Sequence, residues 1–121
     1  MLRLLSLLAL ALLIAPSAFA AGDAAAGKKT YDTLCFTCHG SAGKGDGPAG
    51  AALTPPPRDF SKGDFKFDAN KDGKAGEDAD LKLVIKNGAG AYGGNPAMAP
   101  WGHLADKDID DLIAYVHSLK K

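Results

Sequence analysis

Apolar positions recur with a helical period in three stretches of the chain and without any period between them. From Asp23 to Leu34, the residues Gly27, Tyr31 and Leu34 follow the i, i+4, i+7 spacing of one helix face. Asp23 is the expected N-cap there, and Ala24, Ala25 and Ala26 are strong helix formers. A second helix is predicted from a cap at Asp78 or Asp80 to about Lys86, with Leu81, Val84 and Ile85 on one face and Gly88 as its stop. The third runs from Asp106, its expected cap, to Leu119, with Ile109, Leu112, Ile113, Val116 and Leu119 as its apolar stripe. Asp108, Asp110 and Asp111 then lie in its first turn, where they favour the positive end of the dipole, and Lys120 and Lys121 complement the other end. No stretch reads as a strand, so the expected fold class is all-α. Gly27 is informative, because a glycine inside a helix costs about 1 kcal/mol relative to alanine. Its presence predicts the close approach of another helix.

A different pattern fills the start of the chain. Arg3 precedes an apolar run from Leu4 to Ile14, and Ala18-Phe19-Ala20 ends in a small-residue cleavage pattern. The run is shorter than the roughly 20 residues that span a bilayer. Residues 1–20 are therefore expected to be a cleaved signal peptide and residues 21–121 one exported, periplasmic domain with no stable membrane insertion. The whole chain balances 14 basic against 14 acidic residues, so no basic excess points to nucleic acid. A domain of about 100 residues has a small core and gains from a staple.

That staple is suggested by Cys35-Phe36-Thr37-Cys38-His39. Two thiols three positions apart followed by a histidine form the pattern of covalent c-type haem attachment. The sulfurs can add to the two vinyl groups along one edge of the macrocycle, and His39 can ligate the iron through Nε2. No βαβ pattern surrounds the motif to suggest a thioredoxin fold, and no second ligand cluster stands at zinc-finger spacing.

The glycine-rich stretch from Gly40 to Gly50 lacks the Gly-Lys-Ser/Thr ending and the preceding strand of a phosphate loop, and reads as a wrap around the His39 side of the haem. A backbone carbonyl near Pro48 is the expected acceptor for His39 Nδ1–H. Pro55-Pro56-Pro57 is a stiff extended spacer. Arg58 after it is a candidate partner for a haem propionate, or else a solvent-exposed arginine.

The second axial ligand follows by elimination. If Met1 leaves with the signal peptide, Met98 is the remaining methionine, in a loop between Pro96 and Pro100. A thioether there would stabilise ferrous iron and raise the potential, whereas a second histidine would lower it. His103 is the rival ligand, and an exchangeable sixth position is the other alternative; His117, at the edge of the last stripe, is expected to face solvent. Trp101 is placed either on the haem, with its indole N–H on a propionate, or in the core. The run Asp68-Ala-Asn70-Lys-Asp72-Gly73 matches the first half of an EF-hand loop, with Asp68, Asn70 and Asp72 as candidate calcium ligands. Position twelve, where a bidentate glutamate belongs, is Ala79, and a polar turn is the alternative.

Taken together, the haem motif near the start, Met98 toward the end and the final helix make the chain resemble a class I cytochrome c. Gly-Asp-Gly-Pro at 45–48, Pro57-Arg58-Asp59-Phe60 and Met98-Ala-Pro-Trp101-Gly-His103-Leu104 are similar to small bacterial monohaem proteins. The resemblance implies three to five short helices around one haem, with Gly27 and Tyr31 of the first helix crossing Leu112 and Tyr115 of the last. It also implies a monomeric periplasmic electron carrier, not an enzyme, that docks weakly and transiently on redox protein partners. The alternatives are a haem-bearing subunit of a respiratory complex and a haem enzyme or sensor.

Overall fold

The computed structural model describes residues 22–121; the proposed signal peptide lies outside them. Four helices carry the fold: α1 (Ala24–Leu34), α2 (Phe36–His39), α3 (Asp78–Asn87) and α4 (Asp106–Ser118). Single 3-10 turns stand at Phe60–Lys62 and Ala89–Tyr92, in stretches expected to be irregular. No strand occurs among the described residues, so the all-α expectation holds.

The dominant contact is between the two terminal helices, α1 and α4. Tyr31 and Ile109 are fully buried there, with Leu112, Ile113 and Val116 almost so. The predicted reason for Gly27 is borne out. A Cβ at that position would overlap the carbonyl of Asp111 and lie 2.8 Å from Leu112 N. The helix backbones touch because the side chain is missing. Tyr31 meets Tyr115 edge-on at 5.0 Å between ring centroids, and its hydroxyl donates to the carbonyl of Gly40 at 2.6 Å. One residue thereby joins the helix crossing to the end of the haem motif.

The caps differ in part from expectation. Asp23 caps α1, its carboxylate accepting from Ala25 N and Ala26 N. The N-cap of α3 is Glu77, neither Asp78 nor Asp80. Asp80 instead reaches back from the first turn to accept from Glu77 N at 3.1 Å, as the third residue of a capping box does. α4 begins after Ala105, and Asp106 is its first residue rather than its cap. The Asp106 carboxylate pairs with Lys86 at 3.0 Å, which ties α4 to α3. Asp111 lies beyond the first turn and is 4 % exposed, so it is a buried group rather than a dipole partner. Its Oδ1 accepts from Asp23 N at 2.7 Å and its Oδ2 from Lys107 at 2.7 Å. Those bonds, the lysine first, hold its carboxyl below the usual carboxylate range.

Candidate haem site

The attachment motif is itself helical. Cys35 N donates to Tyr31 O at 2.9 Å, and α2 starts directly after it. A helix of four residues leaves nearly all its carbonyls without intrahelical donors. The glycine-rich loop supplies them: Gly45 N reaches His39 O at 2.9 Å, Gly47 N reaches Cys38 O at 3.1 Å, and Ala49 N reaches Thr37 O at 2.9 Å. Close approach requires glycine here, since a Cβ at Gly47 would fall 2.6 Å from Phe36 O. The loop thus wraps the backbone of the motif.

The cysteines and histidine of the motif open into a cavity of about 780 Å³. Cys35, Cys38, His39, Met98, Arg58 and Trp101 all line it, together with apolar side chains such as Phe65, Leu81, Val84 and Ile85. The volume falls within the range of about 300–1,000 Å³ that houses cofactors. The donor set also fits a covalent haem. Burial, and secondarily Cys38, pushes the Cys35 thiol up to about 11. A site that resists a thiolate accepts an uncharged thioether. Burial, opposed in part by the Arg58 carbonyl, holds the His39 imidazole below its ordinary value. That keeps the ring neutral, with a lone pair available for iron.

The acceptor beside His39 Nδ1 is the carbonyl of Arg58, at 3.3 Å. This corrects the expectation for Pro48, which is exposed and absent from the cavity wall. The Arg58 guanidinium donates to the Asp64 carbonyl at 2.7 Å and to its carboxylate at 3.1 Å while still lining the cavity. Arg58 therefore contributes through its backbone to one side of the site and through its side chain to the mouth.

Met98 is half-buried against the core. Its loop is anchored at both ends. Trp101 N donates to Ile85 O at 2.8 Å, at the end of α3, and Met98 N donates to Asn95 O at 3.1 Å. Asn95 in turn accepts from Ala97 N at 2.9 Å and donates to Pro55 O at 3.1 Å, which joins the methionine loop to the proline spacer. Trp101 packs against the core, one of its two expected placements, and also lines the cavity. His103 is exposed beside the Trp101 ring and is not part of the cavity lining. His117 is exposed, as expected, with Nε2 2.6 Å from Asp78 Oδ1.

The calcium expectation is not supported. Asp68 accepts from Asp72 N and Gly73 N, and Asp72 accepts from Lys74 N, so the carboxylates serve the turn. Among the described residues no group of three or more His, Cys, Asp or Glu side chains could hold a metal ion. Three roles at the site are not legible in the sequence. Asn95 holds the methionine loop, Phe60 stacks on His39, and Asp80, 1 % exposed, bonds Asn70 N and Glu77 N beside the cavity.

A small all-α domain that gathers a Cys-x-x-Cys-His motif and a methionine in one apolar cavity is a c-type haem protein. The chain belongs to the cytochrome c family, whose model matches residues 24–120. It is similar to cytochrome c-554(547) of Halothiobacillus neapolitanus, 39 % identical over 103 residues, covering 83 % of this chain and all of that one. Cytochrome c-555 of Chlorobaculum tepidum is 32 % identical over 111 residues, covering 92 % of this chain and 89 % of its own. Among solved structures, the reducing HAO-like protein complex of Kuenenia stuttgartiensis contains a similar chain, with a TM-score of 0.65 and 30 % identity. The match covers 78 % of this chain and 41 % of that one. Family membership implies covalently bound haem c and electron transfer. No helix among the described residues is long and apolar enough to cross a membrane.

Proposed function

We propose that the chain is a periplasmic one-electron carrier whose haem is joined to Cys35 and Cys38 and ligated by His39 and Met98. The observation that carries this reading is the convergence of all four side chains on one cavity. When bound, the haem iron supplies the one-electron couple, and the chain's residues set its potential and its isolation from water. The His39 imidazole is kept neutral by burial, with the Arg58 carbonyl at the Nδ1 edge of its ring. The Met98 thioether, presented by a loop fixed through Asn95 and Trp101, favours the ferrous state and a higher potential. His39 and Met98 would together hold the iron, and a site closed by both would move electrons rather than bind a substrate. Redox protein partners would dock over a small interface suited to turnover.

An optical and redox titration tests the reading. The ferric protein is expected to show the weak red charge-transfer band of methionine ligation. Met98→Ala should remove it and lower the potential, with about 59 mV for each tenfold change in the one-electron equilibrium, while His103→Asn leaves both unchanged. Ready carbon monoxide binding by a wild type without that band would sink the proposal in favour of an exchangeable site. Export is tested by recovering from the periplasm a protein that begins at Ala21.

A second reading, a dedicated subunit of an oxidoreductase complex, is favoured by the similarity to part of a chain in the reducing HAO-like complex. Co-purification with a single large partner at stoichiometric yield would support it over a free carrier.

A further inference from the structure

We propose that Phe60 is a positioning residue for the axial imidazole, fixing the rotation of the His39 ring about its Cβ–Cγ bond. The inference rests on the reading of His39 as an iron ligand. An imidazole on that bond has broad rotational minima, so something besides the backbone must hold its plane. The Arg58 carbonyl is 3.3 Å from Nδ1, past the usual range for an N–H···O bond, and acts on the edge of the ring alone. Phe60 acts on its face. The two rings are stacked, with centroids 4.4 Å apart and planes inclined by 16°.

Phe60 is itself held too firmly to follow a rocking imidazole. Its backbone N–H donates to Gly43 O at 2.6 Å. The Asp59 carboxylate caps the 3-10 turn by accepting from Ser61 N at 2.9 Å and Ser61 Oγ at 2.5 Å. Lys121 N donates to Ser61 O at 3.0 Å, which ties the turn to the segment after α4. The Phe65 ring packs on Phe60 at 5.9 Å. On another side, a Cβ at Gly43 would come within 3.2 Å of the Phe60 Cβ and Cδ2 atoms, so the side chain fills that space. Arg58 and Phe60, two positions apart, thus address His39 from its edge and its face.

The plane of an axial imidazole sets the asymmetry of unpaired spin over a ferric haem, which proton NMR reads as the order and spread of the haem methyl hyperfine shifts. The experiment compares the holoprotein with Phe60→Leu and Phe60→Tyr. The tyrosine variant, which keeps the ring, is expected to retain the wild-type order and spread. The leucine variant should change both while keeping the methionine charge-transfer band. A wild-type methyl pattern in Phe60→Leu overturns the proposal. Should that variant fail to accumulate, Phe60→Met, an apolar and adaptable replacement, carries the same comparison with the same two outcomes. Failure of the underlying ligation reading is separately visible, because the wild type itself would then lack the methionine band.

Discussion

Replacing Gly27 with alanine sets two effects of opposite sign against each other. Alanine in a helix interior gains about 1 kcal/mol over glycine. The new Cβ, however, would lie inside contact distance of three α4 backbone atoms, the farthest being Leu112 N at 2.8 Å. Backbone cannot rotate aside as a side chain can, so α4 must retreat along its length. A radial gap of about 0.5–1 Å forfeits a quarter to a half of the dispersion energy of the atoms it separates. The atoms concerned belong to Tyr31, Ile109, Leu112, Ile113 and Val116, the buried side chains of the crossing. Overpacking of this kind costs about 1–3 kcal/mol, and the upper part of that range is expected because the obstacle is main chain. The net destabilisation of Gly27→Ala is then about 1–2 kcal/mol after the propensity gain. For a domain of this size that lowers Tm by roughly 4–8 °C per kcal/mol. Thermal unfolding of the holoprotein, followed by far-ultraviolet circular dichroism, measures it. Equal or greater stability in the variant would refute the close-crossing argument.

Three further outcomes are expected. Tyr31→Phe deletes the bond to Gly40 O, which keeps a second donor in Gly43 N; the loss should be about 0.5–1.5 kcal/mol by denaturant titration. Asp80→Ala strands the N–H groups of Asn70 and Glu77 at about 1–3 kcal/mol each, and amide exchange in the 70–77 loop should accelerate before the rest of the fold responds. The Asp111 carboxyl is depressed from 3.8 in the folded chain. Its contribution is therefore complete above the ordinary carboxylate range near pH 4 and is lost as pH falls through the folded value. Acid unfolding of Asp111→Asn should show a shallower pH dependence below that range than the wild type, and parallel curves would count against the assignment.

The three longer helices were legible because a buried face imposes its period on the sequence, and Gly27 declared the crossing by being a poor helix former; the four-residue α2 has no such face. The cysteines and His39 were legible because covalent attachment requires a fixed spacing. Met98 followed from scarcity rather than pattern. Other features leave no such trace. The carbonyl beside His39 Nδ1 belongs to the main chain, which any residue supplies, so nothing in the sequence marked Arg58 over Pro48. Asp111 sits among exposed acids on α4, and its burial rests on Lys107 one turn earlier together with Asp23 N, far away in sequence. The turn around Asp68 satisfies its own N–H groups with the same side chains that a calcium loop would use, so the two share one sequence pattern. Phe60 lies in an aperiodic stretch, and its stacking depends on where Gly40 to Gly50 turns.

The bond from Asp23 N to Asp111 Oδ1 spans 88 positions. With the crossing beside it, this bond makes the fold a closed circuit whose last link is α4, the last of the described helices. Ends so far apart must meet before Tyr31 has anything to pack on, and such long-range closure is costly in entropy and slow. A nascent chain lacking α4 therefore presents its cysteines without an assembled core around them. The same crossing that makes the finished protein firm keeps the unfinished one open for modification.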